Sequence, residues 1–473
     1  MTRKIICLGI IFLLILLSCI NSSVMGINTK SNNYDNLGSQ NKANTLYVGG
    51  IGPNNYSTIQ SAINDASSGD TVFIYNLKSP YFESLTIEKS IYLVGQDRDS
   101  TILYGCNRET DGIIVKADNV KIESLTIKNF RSKNRYIPWD QAGIKVFSSN
   151  VTIDNNRLIS NRMGVEIFSG AFNLTITNNI FIEDSIMLSN YGTPEQKLPD
   201  IVLEDFLHTI TGNTVNGKPL YYITNAKDYK IPEDAGHIIL VNSTNITIKD
   251  IQMSKNDFSL ILAYCSDCLM ENLSISDTDG EILFFECTNF TIQNNTINNT
   301  FKALCLEYNS CNNIIRYNNV SNSYAGLSIF TNSSNNTIYK NEAYNNFMSG
   351  IEIITTNGGM QRDNNITKNK FYNNKIGVHL YKDCRYNNIE ENTIKNNQIG
   401  ILLQYKSCYN NITKNNIQKN LIPALYRRCK INYWNQNYWN RPRILPKLIP
   451  GTGLLGFPRL NYDWHPAKQP YEI

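Results

Sequence analysis

Four carboxylates, Asp277, Asp279, Glu281 and Glu286, crowd one short stretch of this 473-residue chain, a density from which a calcium site or an acid–base pair can be built. Their spacing follows no calcium-loop pattern. A second mixed cluster, Glu204-Asp205-Phe206-Leu207-His208, sets a histidine beside two carboxylates on an apparent insertion, the kind of segment where binding residues concentrate. The phrase that starts at His208 reads more simply as a structural turn into the next strand. Soft metal ligands are thin: the His residues at 208, 237, 379 and 465 are far apart, and Cys265-x-x-Cys268 has no second pair at zinc-like spacing. No cofactor and no metal site is expected.

The elements that must carry such residues follow from composition and period. Apolar and aromatic residues make up 41% of the chain and charged residues 18%, so a large core is available and uncharged polar groups, Asn above all, cover it. The net charge of +4 is spread over 44 basic and 40 acidic residues, which argues against a nucleic-acid partner. Arg3 and Lys4 precede an apolar run from Ile5 to Leu17 and then small and polar residues, the layout of an export signal. Cleavage after Gly26 fits the small-residue rule, and Leu16-Leu17-Ser18-Cys19 offers a lipoprotein alternative. The expected protein is secreted or held at the cell surface, with no membrane-spanning segment in the mature chain.

Equivalent apolar residues recur at Ile248, Met270, Ile292, Ile315, Ile338, Ile366, Ile389 and Ile412, at steps of 22, 22, 23, 23, 28, 23 and 23. Earlier copies stand at Ile122, Ile153, Ile176 and Ile210. A period in the low twenties marks a solenoid, and alternation such as Ile401, Leu403 or Val378, Leu380 gives strands with no helical stripe. The predicted architecture is all-β, a single-stranded parallel β-helix in which each rung stacks on the last at about 4.8 Å. Asn295, Asn318, Asn341, Asn369, Asn392 and Asn415 should then form a ladder of bonded amides at a tight turn. The segment Tyr56 to Asp70 places Ile59, Ala62, Ile63 and Ala66 at helical spacing and predicts an N-terminal capping helix. The expected organisation is a signal at 1–26, a linker at 27–44, the coil at 45–432 with insertions near 131–141 and 184–209, and a capping segment at 433–473.

Vertical stacking turns sequence columns into surfaces. One outward column holds Phe147, Phe168, Tyr191, Phe285, Phe330 and Tyr381, interrupted by Asn225, Ala263, Glu307, Ile354 and Gln404. Exposed aromatic faces suit the C–H faces of sugar rings, so a polysaccharide or surface glycan lying across the rungs is the expected partner. The preceding column sets Lys145 beside Glu166 and Glu352 beside His379, read as solvated ion pairs rather than catalytic pairs. Cys265 and Cys287 should be vertical neighbours, and Cys384, Cys408 and Cys429 should share a corner, as bridges or as stacked thiols.

The phrases TIQSAINDASSGDTVFIY, HTITGNTVNGKPLYY, and NYWNRPRILPKLIPG followed by DWHPAKQPY resemble those of the NosD-like right-handed parallel β-helix proteins, a branch of the pectin-lyase-like group. The resemblance implies a right-handed coil over almost the whole mature chain. It also implies two alternatives to simple glycan binding: a polysaccharide lyase, hydrolase or epimerase, and a copper-handling accessory protein. The paired aspartates with GHG and RIK of polygalacturonases are absent, as is the DPHD phrase of alginate epimerases. Fold analogy alone settles none of these activities.

Overall fold

The computed structural model describes residues 43–107, 109–131, 141–188, 202–355 and 359–473. A residue every 22 or 23 positions that is apolar and β-branched can satisfy its backbone only by pairing with its own repeat, and it does so in parallel throughout. Ile248 pairs with Met270, Met270 with Ile292, Ile292 with Ile315, and the register runs unbroken through Ile366 and Ile389 to Ile412. Ile122, Ile153, Ile176 and Ile210 form the matching stack of the first coil. The last rung carries Trp434 under Ile412 and Trp439 under Ile417, so the period runs through both tryptophans.

Each rung turns three times, and the turns account for the abundance of Asn. A residue in the left-handed region is followed by a fully buried Asn: Lys368 (φ 57) before Asn369, Asn373 (φ 56) before Asn374, and Tyr386 (φ 57) before Asn387. The expected ladder is present, with Asn341 Nδ2 donating to Asn369 Oδ1 at 3.0 Å, Asn369 to Asn392 at 3.0 Å and Asn392 to Asn415 at 3.0 Å. Two further ladders stand at the other corners, one through Asn313, Asn336, Asn364, Asn387, Asn410 and Asn432, the other through Asn346, Asn374, Asn397 and Asn420. Buried amides are tolerated because each one satisfies backbone groups that the turn strands. Where a strand begins close to the rung below, glycine is needed. A Cβ on Gly350 would lie 2.8 Å from the Gly377 carbonyl oxygen.

The coil has two stacks that meet at a hairpin, where Thr214 and Val215 run antiparallel to Pro219 and Lys218. Across the junction the buried Asp257 carboxylate accepts from the Gly164 and Ser185 amides, both at 2.8 Å. The capping helix forms at Ile59–Asp65 with Ile59, Ala62 and Ile63 buried, and the Glu83 carboxylate accepts from the Ile59 and Gln60 amides. The far end is closed by an antiparallel hairpin, Lys447–Thr452 with Pro458–Asp463, whose Asp463 accepts from Trp439 Nε1 at 2.8 Å. Among the described residues the cysteines are all thiols. Cys265 and Cys287 bond equivalent carbonyls, while Cys429 shares its column with Cys384 and Ser407, Cys408 being one residue out of step.

Candidate functional site

The outward column named by the sequence is in vertical register where it is described: Phe147 and Phe168 directly follow the paired Val146 and Ile167, Phe285 stands over Glu307, and Phe330, Ile354, Tyr381 and Gln404 come in succession. Between the two stacks, however, the position equivalent to Ala263 is Val241 and then Thr224, so Asn225 falls out of the column. Tyr191 lies outside the described residues.

The column is not an open aromatic face. Phe285 is 1% exposed. It is covered by Phe206, whose ring sits 5.2 Å away and also meets Tyr264 at 5.9 Å. The inserted segment is pinned there, since Tyr222 Oη donates to the Phe206 carbonyl and accepts from the His208 amide. Asp205 accepts from Ser169 Oγ and the Gly170 amide, so the Glu204–His208 cluster is a structural clamp. Burial lowers the His208 pKa to about 4, leaving a neutral ring. Phe147 and Phe168 pack against each other with ring centres 4.3 Å apart and planes tilted by 35°. Phe330 is half-buried with the Lys302 ammonium 4.3 Å above its ring.

The charged column is buried rather than solvated, which corrects the expected solvated pairs. Lys145 lies 2.9 Å from Asp111 and 3.4 Å from Glu166, all well shielded. Burial alone would lower its pKa, but Glu166 and Asp111 override it and hold the ammonium above its ordinary value. Glu352 accepts from Ser328 Oγ and Ser349 Oγ, and His379 bonds Gln404 instead of its vertical neighbour Glu352. Burial depresses the His379 pKa, opposed by Gln404 and Glu352. The four crowded carboxylates also disperse. Asp277 takes Asn299, Asp279 pairs with Arg162 at 3.3 Å, Glu286 takes Asn309, and Glu281 meets Lys302 at 3.0 Å. Lys302 and Cys305 were not singled out from the sequence, and Glu307 only as an interruption of the aromatic column; they meet Glu281 because they stand one rung below it.

At the C-terminal rungs the column adjoins an accessible aromatic corner. Tyr381 and the exposed Tyr405 meet edge to face, 5.2 Å apart at 66°. They line a cleft of about 440 Å³ with Lys382, Asp383, Lys406, Arg428 and Leu454. Lys382, Asp383, Tyr405 and Lys406 all adopt left-handed backbone conformations, so the turn presents consecutive side chains outward. The Arg428 guanidinium lies 5.7 Å from the Tyr405 ring centre, and Asp383 is taken by Arg385 at 2.7 Å. Cations and aromatic faces therefore dominate the opening. Sequence reading named Tyr381 alone. Tyr405 and Arg428 belong to the same corner of the next rungs and were findable by the same period.

A family model described as periplasmic copper-binding protein (NosD) matches residues 63–218 and 206–374. The chain belongs to the NosD family. A second model, the right handed beta helix region, matches residues 329–429 and agrees with the right-handed coil of this NosD-family protein. No curated protein matches it in sequence. Among solved structures it is similar to the A-module of the Azotobacter vinelandii mannuronan C-5 epimerase AlgE4, at 13% identity and a TM-score of 0.37, covering 87% of this chain and 94% of that one. It is similar also to the periplasmic alginate epimerase AlgG (15%, TM-score 0.36, 70% and 66% covered). A Thermotoga maritima exopolygalacturonase gives 10% identity and a TM-score of 0.32, with 79% and 86% covered.

Proposed function

We propose that this NosD-family chain is a polysaccharide-binding solenoid, secreted or carried at the cell surface, that holds a sugar chain across its C-terminal rungs. The observation that carries this reading is the cleft that the column's half-buried Tyr381 lines together with the exposed Tyr405. Its two rings offer apolar faces to sugar C–H groups while Lys382, Lys406 and Arg428 supply hydrogen-bond donors. The rungs fix these groups in place before a ligand arrives, so little ordering cost opposes binding. Phe147, Phe168, Phe285 and Phe330 then serve mainly to pack the outer face. A glycan array probed with the purified chain and with Tyr381→Ala tests the reading. Binding that the variant loses supports it, and binding that the variant keeps removes the cleft.

The family description names copper, and the cluster of potential ligands found among the described residues does not suit it. Glu281, Cys305 and Glu307 bring ligand atoms within 4.8 Å of one another. Two carboxylates and one thiol, with the Lys302 ammonium 3.0 Å from Glu281 and 3.9 Å from Glu307, make a brace around one cation, whereas copper prefers sulfur and imidazole. Burial drives the Cys305 pKa well up, away from the thiolate a metal would require. His237 and His379, both buried, stand on different rungs, each bonded to its own partner, the Phe258 carbonyl and Gln404.

A further inference from the structure

The C-terminal hairpin does more than close the coil. Its strands alternate so that one face is inward: Ile449 and Asn461, paired across the hairpin, are buried, as is Asp463. The other face sets Leu448 opposite Tyr462 and Pro450 opposite Leu460, all exposed, and Tyr462 stacks on the exposed Trp464 at 5.0 Å. The turn that joins the strands reads Gly453-Leu454-Leu455-Gly456-Phe457, with Leu455 86% and Phe457 72% exposed. Ile444 and Leu445, just before the hairpin, are exposed as well. So many exposed apolar residues on one hairpin, its turn and its approach exceed what scattered exposure would give.

Two properties decide what could cover it. The turn satisfies its own backbone, Gly453 N–H donating to the Phe457 carbonyl and Gly456 N–H to the Gly453 carbonyl, each at 2.9 Å, with Gly456 at φ +86. Its tip can therefore leave water with few polar groups stranded. Along this part of the chain the charge has one sign. Between Leu421 and Tyr462 the sequence holds Arg427, Arg428, Lys430, Arg441, Arg443, Lys447 and Arg459 and no Asp or Glu. A second copy of the chain docked face to face would oppose like charges, whereas an apolar tip within a cationic rim matches acyl chains beneath anionic headgroups.

We propose that this hairpin is a membrane-contacting device: Leu455 and Phe457 enter the headgroup region of an anionic bilayer while the surrounding Arg and Lys residues rest on its surface. The proposal shares Leu454 and Arg428 with the edge of the glycan cleft, but it turns on Leu455 and Phe457 rather than on Tyr381 and Tyr405, so its failure is distinguishable from failure of the glycan reading. Basic residues rimming the tip make the contact sensitive to salt.

The test is sedimentation of residues 27–473, which retain the whole coil, with vesicles of phosphatidylcholine alone or mixed with phosphatidylglycerol. The chain should pellet with the mixed vesicles, far less with phosphatidylcholine alone, and be released by high salt. Leu455→Ser combined with Phe457→Ser should lower the bound fraction about tenfold while circular dichroism stays unchanged, both sites being exposed. A Leu455→Trp variant should shift its fluorescence to the blue when mixed vesicles are added. Absence of pelleting, pelleting that the double variant retains, or a dimer in light scattering that Phe457→Ser dissolves would each overturn the proposal.

Discussion

Replacing Asn369 with alanine should open one rung of the coil. The Asn369 amide nitrogen donates to the Ile338 carbonyl at 2.8 Å, the Thr367 carbonyl at 3.0 Å and Asn392 Oδ1 at 3.0 Å. Its oxygen accepts from the Asn341 backbone N–H at 2.8 Å and from Asn341 Nδ2 at 3.0 Å. Some of these partners keep other bonds, since Asn341 Nδ2 still reaches the Ile315 carbonyl and Asn392 Oδ1 still receives the Asn369 N–H. The Asn341 backbone N–H loses its acceptor, and the Ile338 carbonyl loses a donor. Each buried group so stranded costs about 1–3 kcal/mol, so the variant should be destabilised by roughly 3 kcal/mol, a little over two powers of ten in a local opening equilibrium. Because stability in a solenoid is a sum over neighbouring rungs, hydrogen exchange is the appropriate assay: the Asn341 amide should exchange about a hundredfold faster, with rungs near the capping helix unaffected. Asn373→Gly, at an exposed left-handed turn position, is the control and should change stability by less than about 1 kcal/mol. Unchanged exchange at Asn341 would refute the view that the amide ladders hold the turns.

Other expected outcomes follow from buried charge. Burial raises the Asp184 pKa to about 8, against the bonds it accepts from Asn161. A carboxyl whose folded pKa lies above its unfolded value stabilises the fold below the unfolded value and loses that contribution as the pH rises through the folded one. Stability should therefore fall between about pH 4 and 8, and Asp184→Asn should flatten that decline and leave the protein more stable at pH 8, by up to roughly 5 kcal/mol in denaturant titrations. Lys302→Met should leave Glu281 and Glu307 buried without their ammonium and cost about 3–5 kcal/mol, measured as a lowered unfolding midpoint. Phe206→Ala should uncover Phe285, cost about 3–5 kcal/mol and make the outer face of the central strands accessible to a hydrophobic dye.

The coil was legible because its signal is local and repeated: Ile389 and Ile412 lie one period apart in the text and pair in space. The Asn295–Asn415 ladder was read by the same rule, and the ladders through Asn387 and Asn397 carried the same signal at other offsets. Exposure was not legible. Whether Lys145, Glu166 or Phe285 faces water depends on what lies over the strand, and the residue covering Phe285 is Phe206, whose placement is set by Tyr222 and by the clamp of Asp205 on Gly170. No period in the sequence encodes a contact between an insertion and a distant face. The accessible Tyr381–Tyr405 cleft survives at the end of the coil, where the rungs carry their aromatic corner residues outward and Tyr405 is exposed.

Isothermal titration of a glycan bound by the purified chain, compared among Tyr405→Ala, Phe168→Ala and the unaltered protein, tests the central claim most directly. Losing one contacting aromatic ring of a binding cleft typically costs over 1 kcal/mol, about tenfold in affinity. Tyr405→Ala should weaken binding by about that factor and Phe168→Ala should leave it unchanged. Equal affinity for Tyr405→Ala and the unaltered chain, or a loss confined to Phe168→Ala, would contradict the account.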